Sequence, residues 1–385
     1  MNVSKIANDI QPSLTRQLFD KAKEYSNVID LTLGDPDYPT PAEICAAGCQ
    51  AIREGKTKYT ANAGLIELRT AVAEKVKEET GIEYRPEDNV IITVGAMGAL
   101  YLLIKSYINE GDEVLIPAPY WINYVQMVRM SGGVPVIVNG SEEDFSLSVE
   151  MLEKAVTDKT RMMIINSPCN PTGEIYSRET MEAIAEIAIK HDILVVSDEA
   201  YSCIVYDDAE FVSIIDIPGM KDHTVLVNSF SKRYSMTGWR VGYAVGDAAI
   251  ISAMTRFQEN VASCCPQPSQ YAAIQALKGS QESVKYMVKG YQNRRDILVN
   301  GINGIRNLSC RKPQGTFYAF VDIRKTGMNS VEFAYALLES VQVAVVPGVT
   351  YGEAGEGYIR IAFTQNETKI MEALNRIRRF MEMCG

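Results

Sequence analysis

Short apolar runs recur through the middle of this chain, and most are followed by a stretch whose apolar residues return every three or four positions. The runs are NVIITVG (89–95), EVLIPAP (113–119), VPVIV (134–138), TRMMIINSP (160–168), DILVVSDE (192–199), TVLVNS (224–229) and RVGYAVG (240–246). Runs this short and this apolar read as strands buried on both faces. The intervening ALYLLIKSYINEGD, NYVQMVRMSGG and ETMEAIAEIAIKHD read as amphipathic helices stopping near Gly or Asp. Strand and helix in alternation demand crossover connections, so the pattern predicts a three-layer α/β fold with a mainly parallel sheet.

The texture changes after residue 270. QYAAIQALKG and a charged periodic stretch to about Asn300 predict long helices. Beyond them RKPQGTFYAFVDI, VEFAYALLESV, VAVVPG, GYIRIAF and a closing helix from about Glu367 form a smaller α+β unit, with which the first thirty or so residues are expected to pack. The expected division is a large domain over 40–290 and a small one over 1–39 and 291–385. A chain of 385 residues holds both comfortably, and no repeat or Pro/Gly/Ser linker argues for more units.

Composition removes several function classes. Hydrophobic residues at 46%, a mean hydropathy of −0.07 and the lack of an eighteen-residue apolar run give no membrane span. MNVSKIANDI lacks the basic start and apolar core of a secretory signal, so a cytoplasmic protein is expected. A net charge of −10 has the wrong sign for a nucleic-acid partner. Eight cysteines without repeated CxxC spacing favour free thiols; Cys45 and Cys49 could share a helical face, but two histidines give little to complete a metal site, and none is expected.

In open α/β sheets ligands lie beyond the carboxyl ends of the strands, so the residues just after each run matter most. After NVIITV come Gly95, Ala96, Met97 and Gly98, a small-residue helix start that suits an anion or simply a tight turn. After DILVV come Ser197, Asp198, Glu199, Ala200 and Tyr201; a carboxylate there needs a partner, or caps a helix. In SPCNPTGEIY two prolines and a glycine fix a loop around Asn170, whose amide serves a ligand or braces the turn. After TVLV come Ser229, Ser231, Lys232 and, farther on, Arg240. A lysine ending a buried strand becomes a nucleophile if desolvated, and two hydroxyls with a guanidinium make a phosphate cradle. An amine, a carboxylate, a phenol, an amide and a phosphate site together match pyridoxal 5'-phosphate, which offers an aldehyde, a pyridine nitrogen, a ring oxygen and a phosphate.

On LTLGDPDYPTP, KYTANAGLIELR, VGAMGALYLL, GDEVLIPAPYWINY, NSPCNPTGEIY, VVSDEAY, NSFSKRYSMTGWRVGY, PQGTFYAF, VVPGVTYG and GYIRIAF the chain resembles the class I aminotransferases of the pyridoxal-phosphate fold type I superfamily, from about Val28 to the C-terminus. The resemblance implies ping-pong transfer of an amino group between an L-amino acid and a 2-oxo acid. It makes Lys232 the Schiff-base lysine and catalytic acid/base. Asp198 would pair with the pyridine nitrogen, Tyr201 and Asn170 with the ring oxygen, and Trp121 would stack on the ring. Ser229, Ser231, Arg240 and the N–H groups of Ala96 and Met97 would hold the phosphate. Arg360 would grip the substrate α-carboxylate, helped by Asn170 and the backbone at Gly34. Tyr59 would reach the phosphate in a neighbouring subunit, implying a homodimer with shared sites.

One position departs from the pattern. In the bacterial aspartate and prephenate aminotransferases whose PYWxxY segment this chain resembles, the Gly-rich turn carries a lysine associated with the distal carboxylate; Met97 stands there in this chain, which favours an apolar or aromatic substrate unless a polar group elsewhere compensates. The same superfamily contains C–S β-lyases, aminocyclopropane-carboxylate synthases and the ligand-sensing domains of transcription regulators, so these readings stand beside the aminotransferase. The regulator would need a helix-turn-helix domain, and the N-terminal segment is too short and too weakly basic for one.

Overall fold

All seven apolar runs form strands of one sheet in the computed structural model, which describes residues 3–10, 14–141 and 143–384. Residues 1–2 and 11–13 of the expected N-terminal segment, with 142 and 385, lie outside the described residues. A two-residue strand β1 (Ile29–Asp30) comes first, then β2 (Val90–Thr93), β3 (Glu113–Ala118), β4 (Val134–Asn139), β5 (Thr160–Asn166), β6 (Leu194–Asp198), β7 (Thr224–Ser229) and β8 (Gly242–Val245). The large sheet has the order β2-β8-β7-β6-β5-β3-β4. Neighbours from β7 to β4 are parallel, and β8 runs antiparallel to both β7 and β2.

Side chains alternate between two apolar layers, one on each face of this sheet. Leu115, Met163, Ile165, Val195 and Leu226 join one layer, and Val114, Ile116, Ile164, Val196 and Val227 the other. Burial on both faces explains why the runs are continuously apolar rather than alternating. The edge strand β4 is the exception, with exposed residues along its length. Helices between the strands carry ordinary end signals. In Arg178–His191, Ser177 accepts from Thr180 N, Lys190 and His191 occupy the last turn, and Asp192 ends the helix at a positive φ of 53°.

The C-terminal part builds a second sheet from β9 (Ser309–Cys310), β10 (Tyr318–Asp322), β12 (Val346–Pro347) and β13 (Tyr358–Ala362), all antiparallel, in the order β12-β13-β10-β9. Between them β11 (Val343–Ala344) pairs in parallel with β1, tying the N-terminal segment to this part. A third apolar layer joins Leu18, Leu31, Leu298, Phe317, Phe333 and Phe380. The helix Glu282–Asn303 runs unbroken through the expected boundary at residue 290. Among the described residues no helix is long and apolar enough to cross a membrane.

Candidate functional site

A cavity of about 370 Å³ opens at the carboxyl end of the large sheet, between it and β13. The seven-stranded sheet supplies its floor, because β5, β6 and β7 end side by side. Their register pairs Asn166 with Asp198 and Asp198 with Val227. The strand alternation then decides which side chains enter. Asp198 and Ser229 line the cavity, while the adjacent Glu199 and Asn228 line a separate cavity of about 210 Å³ behind it.

Asp198 is buried at the cavity floor, with Oδ2 accepting from Tyr124 Oη at 2.6 Å and Oδ1 from Ala200 N at 3.2 Å. Burial pushes its carboxyl up to about 6, against the opposing effect of those two bonds. No lysine or arginine among the described residues pairs with it. It begins no helix, so the capping alternative falls away. Tyr201, also buried, meets Tyr318 hydroxyl to hydroxyl at 3.1 Å, and burial, then that neighbour, raise its phenol pKa well above the ordinary value.

Lys232 projects from the short helix Phe230–Arg233 that continues β7, and its Nζ donates to the Gly34 carbonyl at 2.5 Å. Burial lowers its pKa to about 8; Asp35 opposes the shift and the charges of Arg360 and Arg240 add to it. Beside it, Ser229 Oγ donates to Ser231 Oγ at 2.9 Å and accepts from Ser231 N at 3.0 Å. Arg240 stands exposed at the rim, donating to Thr237 O at 2.8 Å. Ala96 and Met97 face it in the first turn of the helix Gly95–Tyr107. A methyl at Gly95 would sit 2.6 Å from Arg240 Nη2, and one at Gly242 2.6 Å from Ala96 N, so glycine lets these walls close together.

Arg360, in β13 opposite Phe320, reaches the cavity from the second sheet. Only 5% of it is exposed. Its Nη1 donates to Asn170 Oδ1 at 3.0 Å, its Nη2 donates to Thr32 O, and its Nε is buried without a hydrogen-bond partner. The guanidinium lies over Tyr318 at 4.2 Å and near Tyr351 at 5.1 Å. Asn170 is positioned by its own N–H, which donates to Asn166 Oδ1 at 2.8 Å. Trp121 lines the cavity and stands edge-on to Tyr124 at 5.4 Å. Met97 Sδ accepts from Asn123 Nδ2 at 3.4 Å, so the departing position is met by a neutral amide.

Gly34, Ala96, Met97, Trp121, Asn170, Asp198, Tyr201, Ser229, Ser231, Lys232, Arg240 and Arg360 all line one cavity. Tyr59 does not; its side chain is 86% exposed. Sequence reasoning missed Tyr124, Tyr318 and Thr32. Tyr124 and Tyr318 sit in aromatic-rich segments that read as core, and only the pairing of β10 with β13 places Tyr318 against Arg360.

The chain matches the family model for aminotransferase class I and II over residues 26–377. It is 44% identical over 384 residues to an aspartate aminotransferase of Bacillus sp. (strain YM-2), covering 97% of each chain. It is 40% identical over 376 residues to aromatic-amino-acid aminotransferase 2 of Thermococcus litoralis, covering 97% of this chain and 96% of that one. A solved structure of aspartate aminotransferase from Thermus thermophilus with maleate superposes with a TM-score of 0.94 at 36% identity, covering 99% of this chain and all of that one. With a floor, a rim and a buried guanidinium where this fold collects its ligands, and with the match running nearly end to end, the chain belongs to the class I and II aminotransferases and is an enzyme.

Proposed function

We propose that the enzyme uses pyridoxal 5'-phosphate, held mainly by the large-sheet side of the cavity, to exchange an amino group between an L-amino acid and a 2-oxo acid. The observation that carries this reading is a set of uncompensated charges around one cavity. Arg360 is a buried guanidinium bonded only to neutral oxygens, with an orphaned Nε; Asp198 is a buried carboxylate bonded only to neutral donors. Such groups are costly unless a ligand completes them. The cofactor's protonated pyridine nitrogen suits Asp198, its phosphate suits Arg240 with Ser229, Ser231 and the first N–H groups of Gly95–Tyr107, and its ring oxygen suits Tyr201 and Asn170. When bound, it supplies an aldehyde for amines and a ring that takes up the electron pair left when a substrate loses its Cα proton.

The chain's own groups do the rest. Asp198, ionised at neutral pH, keeps a proton on the ring nitrogen, and Tyr124 holds the carboxylate in place. Lys232 Nζ, with a pKa brought toward neutrality, accepts the proton from the substrate Cα. Arg360 takes the α-carboxylate in a fork, its plane set by Asn170 and Thr32, which fixes the Cα–H bond toward Lys232. Trp121, which lines the cavity, would pack on the ring.

Among the described residues the cations lining the cavity are Lys232, Arg240 and Arg360, each already given a role, and Leu33, Met97 and Ile122 present apolar surface. We therefore read the preferred donor side chain as neutral and apolar or aromatic. We further infer a cytoplasmic homodimer in which Tyr59 completes the partner's phosphate site, with 40–290 as the large domain and 1–39 with 291–385 as the small one. Lys232→Ala is the decisive experiment. The variant should lack the visible absorption of lysine-bonded pyridoxal phosphate and lose transfer by about a thousandfold or more. Wild-type turnover in that protein would sink the assignment.

A further inference from the structure

One stretch of backbone touches both groups on which the proposed chemistry turns. Residues 31–41 leave β1, cross the cavity mouth and enter the helix Ala42–Arg53. On the way the Thr32 carbonyl accepts from Arg360 and the Gly34 carbonyl accepts from Lys232. Leu31 is tied to both neighbouring strands, its N–H donating to Ala344 O and its carbonyl accepting from Ala362 N, and Thr32 is buried, but residues 33–41 are exposed or half-buried and pair with no strand, so their path is set by side-chain contacts.

Its midpoint is gripped from below. Arg294, on the long helix Glu282–Asn303, is 4% exposed and forks Asp37 with Nη1–Oδ1 at 2.7 Å and Nη2–Oδ2 at 3.0 Å. The same Nη1 donates to Thr364 O at 2.7 Å, and Nε lies 3.5 Å from Glu367 Oε1. Tyr38 lies under the guanidinium at 4.9 Å and rests on the helix at Gly290, where a methyl would stand 2.0 Å from its hydroxyl. Farther on, Thr40 Oγ1 donates to Ser235 O at 2.6 Å and accepts from Trp239 Nε1 at 3.1 Å. A bidentate pair fixes direction as well as distance, and a desolvated arginine holds its partner firmly.

We propose that Asp37 and Arg294 are a positioning pair, whose fork sets the Thr32 and Gly34 carbonyls against Arg360 and Lys232. The pair touches no substrate. It acts through the two residues of backbone, Asp35 and Pro36, between Gly34 and Asp37, and it links the orientation of the carboxylate grip to that of the amine. The proposal rests on the roles given to Lys232 and Arg360 above.

The test uses Asp37→Asn, which keeps shape and removes charge, and Arg294→Lys, which keeps charge and removes the fork. Turnover is measured on the purified holoenzyme with L-aspartate and L-phenylalanine as donors and 2-oxoglutarate as acceptor. Amide hydrogen exchange is followed over residues 31–41 in the same proteins. In Asp37→Asn, KM for the donors should rise and kcat/KM fall on the order of tenfold to a hundredfold, as misplacement of binding groups produces. Exchange should accelerate in 31–41 and stay unchanged in β5, β6 and β7, with Arg294→Lys showing the same pattern more weakly. Wild-type KM and exchange, or a lowered Tm with unaltered kinetics, would overturn the proposal, as would failure of both variants to fold. Exchange is read without turnover, so failure here is separable from survival of activity in Lys232→Ala.

Discussion

Asp198 and Glu199 are neighbours in sequence, both buried, and they do different things because a strand sends successive side chains to opposite faces. Asp198 faces the large cavity at the end of the sheet. Glu199 faces the rear cavity, where its Oε1 accepts from Ser197 Oγ at 2.9 Å and also from Ser213 Oγ. Burial lifts the Glu199 pKa from 4.5 to about 8, with both serine bonds opposing the shift. The folded state therefore holds a proton between these values that the unfolded chain has released. That contribution to stability is complete below about 4.5 and is lost as pH rises through about 8. Glu199→Gln keeps the shape and cannot ionise, so Tm of the natural protein should fall relative to the variant between pH 5 and pH 9. Parallel Tm curves across that range would refute it. In the sequence the two acids were equally good candidates from their position alone, and the family pattern chose between them. The strand register supplies the physical reason. Tyr124 was hidden because a buried tyrosine in an apolar segment reads as packing until its hydroxyl is seen on a carboxylate.

The strands other than β4 were readable because both faces of the sheet are covered there and nearly every position is apolar. Their spatial order was not. Nothing in RVGYAVG says that β8 turns back between β2 and β7, since an antiparallel strand buried on both faces has the same composition as a parallel one. Helix ends were less sharp than their patterns: ALYLLIKSYINEGD is helical only to Tyr107, after which Asn109 N donates to Asp112 Oδ2 at 2.8 Å in a turn. The proposed donor preference points to the first turn of that helix, where Met97 stands 40% exposed with Asn123 against its sulfur. Met97→Lys should raise kcat/KM for aspartate relative to phenylalanine by roughly fivefold, the worth of ~1 kcal/mol for a partly exposed ion pair. An unchanged ratio of the two specificity constants would place donor choice elsewhere.

Tyr59 is the one expected site residue that a single chain leaves outside the cavity, yet its backbone is anchored. Lys58 N donates to Gln267 Oε1 at 3.1 Å and Thr60 N to Cys264 Sγ at 3.4 Å, so an exposed ring is presented on a fixed base. If it serves a second copy, mixing Tyr59→Ala and Lys232→Ala subunits should create hybrids with one intact site. At random exchange that restores about a quarter of natural activity from two impaired parents. Recovery no greater than the sum of the parents would mean that each chain completes its own site. The antiparallel return of β8 has a consequence of its own. Residues 230–241 leave the sheet at the end of β7 and come back beside it at Gly242, so Lys232 and Arg240 belong to one excursion pinned at both ends. Arg360 arrives on the other sheet. The two grips assigned to the cofactor therefore share a single frame of reference, while the grip on the substrate has another. The two frames meet at Asn170 and at the backbone of residues 32–34, where Arg360 and Lys232 both find carbonyl or amide oxygens, so a shift of either sheet is transmitted to the other grip at those points.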